Sequence, residues 1–114
     1  MAVRLRIALA LCATFVWASG AQAQAPWPNK PVKIMVPTAP GGMGDVLARS
    51  VAAKMPAVTK QPVIVDNRLG GGGAIAAEAA AKSPPDGYTL YVGFHATNAI
   101  LPHLTKVNYD AARD

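Results

Sequence analysis

Residues 32–47, Val-Lys-Ile-Met-Val-Pro-Thr-Ala-Pro-Gly-Gly-Met-Gly-Asp-Val-Leu, constrain the fold more than any other stretch of this chain. Val32, Ile34 and Val36 favour a strand, with Met35 between them. The run lacks clean apolar–polar alternation, which suits a strand covered on both faces, as in a parallel sheet. Pro37 and Pro40-Gly41-Gly42 stop it. A helix is predicted to open at Asp45, a good N-cap residue. A strand that passes into a helix through glycines leaves backbone N–H groups unpaired at the positive end of the helix dipole. Such a junction can receive an anion before any side chain is considered. The plainer reading is that these glycines and prolines only make a tight turn.

The apolar pattern continues as a helix. Leu47, Val51, Met55 and Val58 share one stripe, predicted to face the sheet, with Val46 and Lys54 at its edges and Arg49 pointing away. Pro56 is predicted to end or distort the last turn. Pro62–Asp66 reads as a second strand, Ala74–Lys82 as a short alanine-rich helix with Glu78 and Lys82 four apart, and Tyr88–Val92 as a third strand. Between them lie a glycine loop, Asn67–Gly73, and a turn, Ser83-Pro-Pro-Asp-Gly87. A helical turn is expected near Ala99, limited by Pro102, and Thr105–Asp114 shows no clear element. The order βαβαβ with tight connections predicts right-handed crossovers and a three-layer α/β unit. Ligands of such sheets bind beyond the carboxyl ends of the strands, where loops 38–44, 67–73 and 93–98 would meet.

The start of the chain is read apart from the fold. Arg4 and Arg6 precede an apolar run from Ile7 to Ala18, and Ala21-Gln22-Ala23 offers a small-x-small cleavage pattern. Residues 1–23 are therefore read as a secretory signal peptide, with cleavage expected after Ala23. The run of about 12 apolar residues is short of the roughly 20 needed to span a bilayer. Cys12 leaves with this segment, so residues 24–114 hold no cysteine for a disulfide or thiolate metal site. The net charge of +5 falls to +3 without Arg4 and Arg6. The remaining basic residues form no cluster, so a nucleic-acid partner is not expected.

The chemistry-bearing residues are few. Asp66 lies where a dinucleotide-binding fold places its ribose-binding acid, which keeps open an exported α/β enzyme domain using the glycine loop for a phosphate or nucleotide. The fingerprint fails in detail: from Gly42 the spacing gives Gly44 and then Leu47, and there is no Gly-Lys-Ser/Thr. Gly70–Gly73 is read as a flexible start to the second helix, with an anion nest as the alternative. Asp45 and the histidines lack a second carboxylate or a nucleophile-plus-orienter set, so no catalytic residue and no metal site are assigned. His95 is read as a loop or ligand contact, His103 as a surface residue, and Trp27 as an anchor for the start of the mature chain.

Several ordered motifs carry a resemblance. Trp27-Pro28-Asn29-Lys30-Pro31-Val32-Lys33-Ile34-Met35-Val36-Pro37 is followed by Pro40-Gly41-Gly42-x-x-Asp45, then Gln61-Pro62-Val63-x-Val65-x-Asn67-Arg68-x-Gly70, then Ser83-Pro84-Pro85-Asp86-Gly87-Tyr88-Thr89-Leu90 and Tyr109-Asp110. Together they closely resemble the Bug family, the periplasmic substrate-binding proteins of tripartite tricarboxylate transporters. The resemblance implies a two-lobed, flytrap-like (type II) periplasmic-binding-protein fold that holds a small carboxylate between its lobes through backbone amides and ordered water. It implies no cofactor and no enzymatic activity, a periplasmic location, a monomer, and membrane permease subunits as partners. The family's ligand loops map onto Thr38 to Asp45 and Gly93 to Asn98. The expected contacts are Thr38, Ala39, Gly41, Gly42, Gly44, Asp45, His95, Ala96 and Thr97. Thr38 stands where an aromatic is common and Met43 where a small residue is common, and Phe94-His95-Ala96 is not the commonest form. Family members run on for roughly another two hundred residues. Residues 24–114 are accordingly expected to be the N-terminal part of the first lobe, with the second lobe missing. A nonfunctional fragment is the third possibility.

Overall fold

The computed structural model describes residues 26–113. The expected signal peptide, residues 1–23, lies outside the described residues. Strand β1 (Val32–Val36) leads into helix α1 (Met43–Thr59), strand β2 (Val63–Asn67), a 3-10 turn (Gly71–Gly73), helix α2 (Ala74–Ala81) and strand β3 (Thr89–Tyr91). A π-helical turn (Ala96–Ile100) and a short helix α3 (Leu101–Leu104) follow. Among the described residues, no helix is long and apolar enough to cross a membrane.

The three strands form a parallel sheet in the order β2-β1-β3. The central strand is the one whose sequence lacked alternation, and Val32, Ile34, Met35 and Val36 are all buried. Moving from β1 out to β2 and back past β1 to β3 by right-handed crossovers puts α1 and α2 on opposite faces, which gives three layers. Ile34 and Val36 pack against Ala48 and Ala52 of α1, together with Val63, Val65 and Val92. Buried Ala76 and Ala77 give α2 a similarly small-residue contact with the sheet. The start of the domain is clamped onto the turn before β3. The Trp27 ring lies 5.8 Å from that of Tyr88, and the Lys30 ammonium sits 4.2 Å over the Tyr88 ring and 3.0 Å from Asp86.

Four expectations are corrected. The N-cap of α1 is Gly42, not Asp45; Asp45 is the third helical residue. The stripe of α1 that faces the sheet runs through Asp45, Ala48 and Ala52, one residue and so about 100° on from Leu47 and Val51 of the predicted one, while Met55, expected on the stripe, is half-buried. Leu47, Val51 and Val58 are exposed. A three-stranded sheet is narrow, and small side chains let the helix sit close to it, so the larger apolar residues have no layer to enter. Pro56 lies inside α1, which continues to Thr59 and ends on Lys60 in the left-handed region, its N–H donating to Pro56 O at 3.0 Å. Pro102 sits in the first turn of α3 rather than stopping it, and the helix runs on to Leu104.

Candidate functional site

The parallel sheet brings the loops after β1, β2 and β3 to one edge. The first loop is a self-contained turn. Gly42 N–H donates to Ala39 O at 2.9 Å, and Gly41 N–H donates to Asp45 Oδ2 at 2.8 Å. Gly41, at φ +84°, has a left-handed conformation that favours glycine. The first helical bond of α1 is Val46 N–H to Gly42 O, at 3.0 Å. The N–H groups of Met43, Gly44 and Asp45 therefore precede any intrahelical acceptor. The amides of Gly41 and Gly42 are engaged in the turn, and those of residues 43–45 have no acceptor among the described residues.

Asp45 is 2% exposed and ionised. Its carboxylate accepts from Arg49 Nε at 2.9 Å, Gly41 N–H at 2.8 Å and Asn67 Nδ2 at 2.9 Å. Arg49 first, then Gly41 and Asn67, hold it well below the usual carboxylate range. The same ion pair pushes the Arg49 guanidinium up. Two conclusions follow. The Asp45 carboxylate is not placed to act as a base, because its oxygens are taken. Its negative charge is also compensated in place, so the positive end of the α1 dipole is not cancelled by an unpaired acid.

The start of α1 is packed too closely for side chains at positions 42 and 44. A Cβ on Gly44 would stand 2.7 Å from Phe94 Cζ and 3.0 Å from Thr38 Oγ1. A Cβ on Gly42 would stand 3.0 Å from Ala39 O. The Thr38 hydroxyl is buried in this nook, and among the described residues nothing pairs with it. Phe94, unassigned by sequence, thus links the third loop to the first.

The second loop is packed rather than flexible. Gly70, Gly71, Gly72 and Gly73 all have positive φ. Gly73 is buried, and a Cβ there would meet Thr97 Cγ2 at 2.5 Å and Pro37 Cβ at 3.2 Å. The expected flexible start to α2 is therefore a fixed joint between the first and third loops.

In the third loop Thr97 is 1% exposed. Its hydroxyl accepts from Tyr91 OH at 2.9 Å and lies 3.0 Å from both Phe94 O and Asn98 Oδ1. Tyr109 OH donates to Thr97 O at 2.6 Å, so the tail without a predicted element braces this loop. Burial pushes the Tyr91 phenol up. His95 and Ala96 are exposed on the rim, as is Ala39. Sequence reasoning did not assign Asn67, Phe94, Tyr91 and Tyr109 as supports of these loops. Asn67 carried a signal as a polar residue closing an apolar strand, and Tyr109 as part of the closing Tyr109-Asp110 motif. Asp66, the acid a ribose would need, is held by Arg68 at 3.0 Å and lies 3.9 Å from Lys33.

An open parallel sheet with helix-start amides gathered at its carboxyl edge is the architecture of a small-anion-binding α/β domain. The chain belongs to the tripartite tricarboxylate transporter receptor family, which matches residues 47–114. It is 42% identical over 95 residues to a UPF0065 protein of Bordetella bronchiseptica, covering 82% of this chain and 28% of that one. Two solved structures from Rhodopseudomonas palustris are similar at 38% identity and a TM-score of 0.69. One is Rpa4515 with adipate, matched over 77% of this chain and 30% of the other. The second is MatC with bound malate, matched over 75% and 29%. The chain thus spans less than a third of the length of these relatives. Their fold is the periplasmic-binding-protein type expected from the motifs.

Proposed function

We propose that this chain supplies one wall of a periplasmic receptor for small dicarboxylates, with a carboxylate seated on the amides of Met43, Gly44 and Asp45. The observation that carries the reading is the nook at the start of α1. Unpaired helix-start donors lie beside the buried, unpartnered Thr38 hydroxyl, at a junction so closely packed that positions 42 and 44 have no room for a side chain. Malate and adipate, bound by the two relatives, are both short dicarboxylates. Thr38, Ala39, Gly41, Gly42 and Gly44 shape the first side of the seat, and His95 and Ala96 form its rim. Asp45 and Thr97 act from within, by fixing the loops.

On this reading residues 1–23 direct export, residues 24–114 form the N-terminal part of a first lobe, and the bound acid passes to membrane permease subunits. A ligand held against one wall keeps most of its hydration, so the chain by itself binds malate with an affinity on the order of millimolar. Titration of the full chain with malate, read from the backbone amide resonances of residues 43–45, tests this. Shifts confined to the loop edge and saturating in the millimolar range support it. No response at those amides overturns the carboxylate seat, and micromolar binding by the chain alone overturns the one-wall reading.

A further inference from the structure

Asn67 closes β2, and the inference concerning it rests on the carboxylate reading of the edge above. Its amide nitrogen has two hydrogens, and both reach back to the junction of β1 and α1. One reaches Thr38 O at 2.9 Å and the other Asp45 Oδ1 at 2.9 Å. Its own oxygen accepts from Arg49 Nη2 at 3.4 Å. Two donors and an acceptor in one short plane are an asparagine's inventory; an aspartate has no donor and a serine only one. The first contact turns the Thr38 carbonyl toward β2, which removes an acceptor from the place where an anion would sit. The second adds a donor to Asp45 and keeps its charge away from the same place. We propose that Asn67 is a positioning residue for the ligand: it holds two acceptors, Thr38 O and Asp45 Oδ1, turned inward, away from an arriving carboxylate.

The charged groups that face Asn67 are Asp45 and Arg49 of α1. Its partner in register on β1 is Val36. Lys33 and Arg68 each pair with Asp66 on the opposite face, because successive strand side chains alternate.

Asn67→Asp keeps the size, removes both donors and sets a second carboxylate against Asp45. Two such groups share a proton, and one of them titrates well above its usual range. The full chain and the variant are titrated with malate at pH 8 and pH 5 and read at the amides of residues 43–45. Variant and wild type are compared at the same pH, so the protonation of malate cancels. The ratio of variant to wild-type Kd is expected to be about ten at pH 8 and to fall below about three at pH 5, where a shared proton bridges the two acids. A ratio near one at pH 8, or a loss independent of pH, overturns the inference while leaving the carboxylate seat standing. A wild type that ignores malate removes the seat and the inference together. Should the variant not fold, hydrogen exchange of the Asn67 side-chain amide in the wild type decides. Both protons exchange at least about tenfold more slowly than in a free asparagine if both bonds form; exchange at the free rate overturns the inference.

Discussion

Gly73 has the least room of any glycine at the loop edge. Its φ is +98°, and a methyl group there would lie 2.5 Å from Thr97 Cγ2. Gly73→Ala is expected to cost about 2–4 kcal/mol, from left-handed strain plus overpacking. Gly41→Ala, also at positive φ but with nothing within 4 Å, should cost only about 1–2 kcal/mol. Urea unfolding of the two variants measures the difference. Asp45 makes a prediction about acid. Its folded pKa lies below the unfolded value, so its contribution is complete above the unfolded pKa of about 3.9 and is lost as the pH falls through the folded pKa. Asp45→Asn should be less stable than wild type at pH 7, and the gap should close as the pH drops below about 4. Thermal unfolding by circular dichroism between pH 7 and pH 2 reads the sign; a constant gap would contradict the pairing with Arg49, Gly41 and Asn67.

Helix α1 reverses the usual relation between apolar character and burial. Ala48 is 2% exposed while Leu47 and Val58 are 58% and 84% exposed. Ala48→Leu is therefore expected to destabilise by about 1–3 kcal/mol, by wedging the helix off Ile34 and Val36. Val58→Lys should change stability by less than about 0.5 kcal/mol. The pattern of spacing showed that a helix stands here but not which way it is turned. A stripe of small residues and a stripe of large ones lie one residue apart, and the sheet below accepts the small one. The glycine run before α2 was hidden for a related reason. Four glycines in sequence are equally consistent with a flexible linker, and only the approach of Pro37 and Thr97 to Gly73 shows that the space is filled.

Across the domain, apolar surface is left facing water. Leu47, Val51 and Val58 on α1, Ile64 on β2 and Leu90 on β3 are exposed, and among the described residues both edge strands present an open side. A groove of about 420 Å³ runs between α2, β3 and Tyr109–Ala111, beside the β3 edge. Open edges and apolar faces promote association. The isolated chain is expected to self-associate as its concentration rises, and Leu90→Lys should reduce this without loss of secondary structure. Sedimentation velocity over a concentration series reads both. A chain that stays monomeric at every concentration would show that these surfaces are not adhesive.

What residues 26–113 spell out locally was legible without coordinates. The three strands, the two principal helices, their parallel order and the edge at which the loops meet all follow from apolar runs broken by glycine and proline, because periodicity and turn chemistry act between near neighbours. The side chains that orient the site were not legible. Asn67 reaches back 29 residues to Thr38, Tyr109 reaches 12 to Thr97, and Phe94 lies against Gly44 across the edge. Those contacts exist only once β2 and β3 flank β1, since packing between distant segments, not local preference, decides which donors stay free for a guest and which acceptors turn away from it.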